Sequence, residues 1–378
     1  FDPNRPGDAP AEARKCWPIT DVYEPGSTLK IVPIAKALET RKLSRTSMVF
    51  CENGSYRVKG ATLHDSHKHG MLSVNDVLAL SSNIGAAKIC ERFSRAEIYG
   101  KLRDFGFGVS TGVELAGEQT GYIPPISTWS GLTQANLAFG HGISCTPLQL
   151  AMAYASVANG GTLMKPRLVK SVDYPSGDHI EYPVQINKRT MSPEVAAELT
   201  DMLVGVVEHG TGELAQIKGI RIAGKTGTAQ KVDQVHKTYF AKRFVSSFVG
   251  FFPAEKPKYV LLVVVDDPRV EYYGASVAAP TFRMVVEEIL MIRTRDFENA
   301  PPAADVEFAT RDKRPEVKPR EALATVSYPT VFVDDPDNAA TVTNTVPVAV
   351  PNLEGWPLRK AVQELSKRHL SFKLLGSR

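Results

Sequence analysis

At 378 residues the chain has room for about two or three domains and a large apolar core. Its 43% apolar and 23% charged residues are ordinary for a globular protein, and a formal charge of +4 allows only weak attraction to anionic polymers or surfaces. No RNP-like, finger-like or basic-helix pattern accompanies that charge, so a nucleic-acid partner is not expected, and the longest strongly apolar run, Tyr259 to Val265, is far too short to span a membrane.

The chain opens at Phe1 rather than at a Met, as a processed or truncated fragment would. Residues 1–20 hold four prolines and little periodicity, which predicts a surface-wrapping segment. A helix is predicted from Ser27 through about Leu38, where Ile31, Ile34 and Leu38 recur at helical spacing. Pro33 lacks an N–H and crowds the carbonyl of Leu29, so a bend is expected just after Lys30. Leu72 to Phe93 reads as helical, with Ser73 as cap and Asp76 three residues on. Ser81-Ser82-Asn83-Ile84-Gly85 is poor helix interior, so this segment is either one helix or two joined at the triplet.

The Gly-rich stretch from Phe105 to Gly121 reads as loops. Thr146 with Pro147 opens a helix to Val157 that Asn159-Gly160-Gly161 ends, and Ser192 with Pro193 opens another to Val207. The period then changes. Arg221 to Gln230, Arg243 to Phe252 and Lys258 to Val265 are predicted strands, followed by a long helix from Ala275 to Ile292. This is an α/β (α+β) domain over residues 1–295. Residues 296–345 turn charged and proline-rich, as a linker or loosely packed extension would, with Thr325 to Val333 able to add a strand. Organisation returns over residues 346–378, with a helix from Pro357 to Leu365 and a strand from His369 to Leu374.

Metal chemistry is not indicated. Cys16, Cys51, Cys90 and Cys145 are widely spaced without a CxxC pair, and their even number permits disulfides without requiring them. His64, His67 and His69 lack the one-face spacing of a helical zinc site, and their polar neighbours fit a surface loop.

Three short motifs carry the chemistry. Ser27 and Lys30, three apart on a helix, share a face, so the amine can serve the hydroxyl as a base once burial or a nearby cation lowers its pKa from about 10.4. Lys225 could supply that cation. A Ser27 at a helix start also puts free N–H groups near an attacked carbonyl. Ser81 offers a hydroxyl able to pass a proton to a leaving amine, and Asn83 an amide able to hold a substrate carbonyl or to orient Lys30.

Lys225-Thr226-Gly227-Thr228 reads as an edge strand against which an extended peptide could lie, with Gly227 leaving room for the approaching backbone. Thr226, Thr228 and Lys225 are suited to a carboxylate, and the Thr228 N–H to a second oxyanion contact beside that of Ser27. The stretch Gly219 to Thr226 matches the phosphate-loop expression, but its Ile220-Arg221-Ile222-Ala223 interior is a strand pattern and no apolar strand precedes it.

The set resembles the transpeptidase domain of class B penicillin-binding proteins, especially division-type enzymes, whose S-x-x-K, Ser-x-Asn and K-T-G motifs are a known signature. The likeness runs through Glu24-Pro25-Gly26-Ser27-Thr28-Leu29-Lys30, Leu80 to Gly85, Ala223 to Gln230, Asp267-Pro268, Tyr272-Tyr273-Gly274 and Ala278-Ala279-Pro280. It implies a penicillin-binding-protein and serine β-lactamase-like fold, with a central antiparallel sheet flanked by helices. It further implies attack by Ser27 on the D-Ala–D-Ala bond of a peptidoglycan stem, Lys30 as base, proton delivery through Ser81, and resolution by an amine of a neighbouring stem.

β-Lactams would acylate Ser27, and no cofactor is implied. The parent would be extracytoplasmic, periplasmic or at the outer face of the cytoplasmic membrane, anchored in that membrane and recruited by division or elongation machinery. Leu29 stands where such relatives often have Phe, and with Pro33 it implies altered packing rather than loss of acylation. A serine β-lactamase or β-lactam sensor shares the motifs, and a non-catalytic cell-wall peptide-binding scaffold is the non-enzyme alternative. Val350-Pro351-Asn352-Leu353, Gly355, Ala361 and Leu365 resemble part of a PASTA module.

Overall fold

Hydroxyl caps and prolines divide the chain into short helices ahead of one long sheet. The computed structural model describes residues 4–8, 10, 15–233 and 238–293; the proposed linker and PASTA-like unit lie outside the described residues. The opening segment contains helix α1 (Trp17–Thr20), and a 3₁₀ turn, Gly26–Lys30, runs into α2 (Ile31–Glu39). Short strands β1 (Met48–Phe50), β2 (Ser55–Val58), β3 (Ala61–His64) and β4 (Met71–Ser73) follow, paired β1 with β4 and β2 with β3. Helices α3 (Val74–Ala79), α4 (Asn83–Cys90), α5 (Arg95–Asp104), α6 (Gly131–Leu137) and α7 (Pro147–Ala158) come next. Strands β5 (Thr162–Met164), β6 (Ser171–Asp173), β7 (His179–Glu181) and β8 (Ile186–Arg189) form two small ribbons before α8 (Pro193–His209).

The main sheet is antiparallel, in the order β11–β10–β9, built from β9 (Ala223–Asp233), β10 (Thr238–Phe252) and β11 (Tyr259–Asp266), and α9 (Gly274–Ile292) closes the domain. From Val245 to Phe252 β10 is buried on both faces, and alternate residues serve different cores. Phe248 and Phe252 point to α9, where both pack on Phe282 at ring distances of 4.7 and 6.1 Å. Val249 and Phe251 join the larger core that includes α2, α4, α7 and α8. The sheet is thus flanked by α9 on one side and by α7 on the other, as the α+β expectation requires.

Some boundaries differ from the sequence reading for identifiable reasons. β9 and β10 extend beyond their predicted ends because a register shift between Tyr239 and Phe244 lets the hairpin continue past an irregularity. Leu72–Phe93 is not one helix: Ser73 caps α3 by accepting from the Asp76 N–H, Ser81 adopts φ +62°, and Ser82 caps α4 by accepting from the Gly85 N–H. Pro33 occupies the first turn of α2, where a missing N–H costs little, and the change from 3₁₀ to α-helix falls at Lys30, where the bend was expected.

No helix among the described residues is long and apolar enough to cross a membrane. Replacing Phe282 with Ala empties the junction between α9 and the sheet, and should cost about 3–5 kcal/mol of stability in denaturant unfolding.

Candidate active site

Ser27 is displayed by a turn that is pinned from several sides. Gly26 adopts φ +57°, and its N–H donates to the Gly140 carbonyl at 3.2 Å. The Thr28 hydroxyl donates to the Pro25 carbonyl at 2.7 Å, and the buried Tyr154 hydroxyl on α7 donates to the Thr28 carbonyl at 2.8 Å. The 3₁₀ form of this turn matters because side chains three apart eclipse one another in a 3₁₀ helix. Lys30 therefore lies directly beside Ser27, with Nζ 2.8 Å from Oγ.

Lys30 is fully buried, and its amine is surrounded by oxygen. Beyond Ser27 it faces the Ser81 carbonyl at 2.7 Å, Asn83 Oδ1 at 2.8 Å and Ser81 Oγ at 3.1 Å. Burial, followed by the charge of Lys225, holds its pKa well below the ordinary lysine value, against an opposing pull from Asp65. Asn83 uses its Oδ1 on Lys30 while its Nδ2 donates to the His64 carbonyl at 3.2 Å, so of the two roles weighed for it the geometry favours orienting the lysine.

The junction of α3 and α4 is held by a residue that motif reading overlooked. Asp65 accepts from the Ser82 hydroxyl at 2.6 Å and from the backbone N–H groups of Asn83 at 2.5 Å and Ile84 at 3.0 Å. The Thr62–Gly70 stretch is therefore more than a surface loop: its His64 carbonyl and Asp65 carboxylate fasten the Ser81–Asn83 segment. The histidines themselves form no metal site, and no group of three or more His, Cys, Asp or Glu among the described residues could hold a metal. All four cysteines are free thiols.

β9 supplies the facing wall as an edge strand of the main sheet. Lys225 is fully buried, and desolvation lowers its pKa to about 7. Thr226 is buried beside it, and Thr228 accepts the Gly274 N–H on its Oγ1 at 2.9 Å. Gly227 has a packing role as well. A Cβ there would meet Ser247 Oγ at 2.4 Å, the Pro25 carbonyl at 3.0 Å and Thr28 Cγ2 at 3.0 Å. Its missing side chain thus lets the Ser27 turn pack against β9. The phosphate-loop match is also removed, because Ala223 to Thr226 lies inside the strand.

Tyr154 and Thr211, which donates its N–H to the Ala79 carbonyl at 3.1 Å, were likewise absent from the sequence reading. A buried tyrosine on an apolar helix and a threonine after a helix carry no motif.

An antiparallel sheet flanked by helices, with a half-buried serine beside a buried lysine at its edge strand, is the arrangement of serine acyl-transferase-type domains. The family model for the penicillin binding protein transpeptidase domain matches residues 1–287. Penicillin-binding protein PbpB of Mycolicibacterium smegmatis is 36% identical over 302 residues, covering 77% of this chain and 46% of that protein. The probable peptidoglycan D,D-transpeptidase PenA of Neisseria flavescens is 34% identical over 294 residues, covering 77% of this chain and 70% of that protein. Penicillin-binding protein 3 of Mycobacterium tuberculosis, solved with ampicillin, superposes with a TM-score of 0.72 at 33% identity, covering 81% of this chain and 68% of that one. The chain belongs to the penicillin-binding protein transpeptidase family. It spans less than half the length of the M. smegmatis relative.

Replacing Asp65 with Ala should lower stability by about 1–3 kcal/mol in denaturant unfolding, because three donors at the start of α4 lose their acceptor together.

Proposed function

We propose that this chain is the transpeptidase domain of a peptidoglycan D,D-transpeptidase, working through an acyl-enzyme on Ser27. The observation that carries this reading is the Lys30 amine, buried and shared between Ser27 Oγ and two oxygens that can only accept. A neutral amine has two N–H bonds and one lone pair. With the N–H bonds given to the Ser81 carbonyl and Asn83 Oδ1, the lone pair is left for a hydroxyl proton. That is the arrangement a general base for Ser27 needs.

The steps follow. The Ser27 proton moves to Lys30 Nζ while Oγ bonds to the carbonyl carbon of the penultimate D-Ala. The negative charge gathers on the carbonyl oxygen, between the backbone N–H groups of Ser27 and Thr228. As the tetrahedral species collapses, the proton on Lys30 passes through the Ser81 hydroxyl, 3.1 Å away, to the nitrogen of departing D-Ala. An amine of a neighbouring stem then attacks the ester and releases Ser27. Lys225, with Thr226 and Thr228, holds the terminal carboxylate of the donor. β-Lactams, which carry both an amide and a carboxylate, would acylate the same serine.

The name of the D,D-transpeptidase relative and the ampicillin complex of another support this substrate class. The wider reading extends to a parent protein working on the outer side of the cytoplasmic membrane with division or elongation machinery. It also takes residues 346–378 as a partial PASTA-like unit after a linker.

Incubation with labelled penicillin should give a long-lived adduct on Ser27 by intact mass and peptide mapping, and Ser27→Ala should abolish it. Capture of label by that variant at the wild-type level would disprove the assignment, and rapid release of hydrolysed drug would point to a β-lactamase.

The pH dependence has two limbs. Lys30 acts as its free amine, so acylation should fall as pH drops through its lowered pKa. Lys225 is a cation below its pKa of about 7 and neutral above it. Second-order acylation by a carboxylate-bearing β-lactam should therefore decline above about pH 7, since this constant reports the free enzyme. A matched ester lacking the carboxylate should not show that decline; equal decline for both would remove Lys225 from carboxylate binding.

A further inference from the structure

The buried Lys225 ammonium has few good partners within the chain. Its contacts to Thr226 Oγ1, the Thr226 carbonyl and Thr211 Oγ1 are 3.2, 3.4 and 3.4 Å, long for charge-assisted bonds. By contrast, Thr211 Oγ1 and Thr226 Oγ1 are 2.7 Å apart, the shortest contact of the group. Two hydroxyls and one ammonium thus form a closed triangle at the wall of the cleft.

Either hydroxyl can donate in that contact, and a proton count selects one direction if Thr226 is to serve an anion. Each threonine has one O–H, and their mutual bond uses one of the two. If Thr226 donated to Thr211, it would have no proton left for an incoming anion. If Thr211 donates, Thr226 Oγ1 accepts from both Thr211 and Lys225 and keeps its own proton for the cleft. Accepting two bonds also polarises that O–H and makes it the stronger donor.

The position of Thr211 is set by its backbone. It lies between α8 and the 3₁₀ turn Glu213–Ala215, and its N–H is fixed to the carbonyl of Ala79 at the end of α3. The preceding Gly210 passes so close that a Cβ there would stand 2.4 Å from that same carbonyl. The Thr211 hydroxyl is therefore fixed relative to both β9 and the segment that begins two residues later at Ser81.

We infer that Thr211 is a positioning residue for recognition of the substrate carboxylate: its hydroxyl donates to Thr226 Oγ1, so that the Thr226 O–H and the Lys225 ammonium are both presented to the anion. This rests on the carboxylate-binding role proposed above for Lys225 and Thr226. Thr211 acts through Thr226 and is not assigned contact with the reacting atoms.

Two substitutions separate this role from simple support. Thr211→Val keeps the branched shape and the backbone N–H but removes the hydroxyl, whereas Thr211→Ser restores it. Second-order acylation of Ser27 would be measured with a penicillin and with its methyl ester, alongside thermal melting of each variant. Thr211→Val should slow the penicillin by about tenfold, the loss of roughly one hydrogen bond to a charged group, and the ester by less than about twofold. Thr211→Ser should return the penicillin rate to within about twofold of wild type.

Equal losses on both probes, or no loss on either, would overturn the assignment, as would failure of Thr211→Ser to recover. If neither probe acylates Ser27 in the wild-type protein, the transpeptidase reading itself fails. That outcome is distinct from a wild type that reacts and a Thr211→Val variant that does not discriminate.

Discussion

The structure is organised around a lysine amine kept out of water. Moving an ammonium from water into a protein interior is costly, and the usual escape is to lose the proton. Lys30 follows that course: burial is the largest cause of its lowered pKa, with the Lys225 charge second. Hydrogen bonding alone would not give this result, since a cluster of oxygens in an open site would favour the cation. Desolvation decides the protonation state, and the surrounding oxygens decide where the lone pair points. The same burial acts on Lys225, where desolvation lowers the pKa to about 7, while Lys30 has the Lys225 charge acting on it as well. Two lysines in one cleft are thereby separated into a base and an electrostatic anchor.

Bringing those lysines together requires three distant segments to meet at close range. The Ser27 turn is squeezed between β9 and the Gly140 loop, and neither side leaves room for a Cβ: one at Gly227 would strike the Pro25 carbonyl, and one at Gly140 would fall 2.2 Å from the Gly26 carbonyl. The helical segments add their own fastening through Asp65, which grips the start of α4 from beyond the end of β3. On these two sides backbone rests on backbone, while the Lys30 and Tyr154 side chains tie the turn to the Ser81–Asn83 segment and to α7.

Motif spacing made the chemistry legible, while the assembly was not. Ser27 and Lys30, Ser81 and Asn83, and Lys225 through Thr228 are local words, and local words survive in a sequence. The long sheet and α9 were also readable, since the strands are rich in branched residues and Phe282 and Ile289 recur at helical spacing; the buried face of α9 runs through Phe282 and Val286, with Val285 and Ile292 exposed. The short strands from β1 to β8 were invisible because pairs of three or four residues hold too little pattern. Helix α5 was missed although Ser94 and Glu97 form a capping box ahead of Ile98 and Leu102, a signal that could have been read. Asp65 could not have been found this way: its contact with Ser82 joins residues 17 apart across a turn of the fold. The packing role of Gly227 was not legible because its close neighbours Pro25 and Thr28 come from another segment.

The left-handed residue between α3 and α4 has one more consequence. In an uninterrupted α-helix the carbonyl of Ser81 would be taken by the N–H of Gly85, four residues on. Here that N–H goes to the Ser82 hydroxyl at 2.9 Å, and the carbonyl is released to the Lys30 amine at 2.7 Å. A single backbone break thus converts a routine helical acceptor into a ligand for the base, and it turns the hydroxyl of the same residue to the same nitrogen. A non-glycine residue at φ +62° carries a cost of order 1–3 kcal/mol, and here that strain is coupled to the release of one acceptor. Seen this way, the Ser-x-Asn motif is a vacancy in a helix ladder: its middle serine fills the gap from one side so that its first residue can leave it on the other.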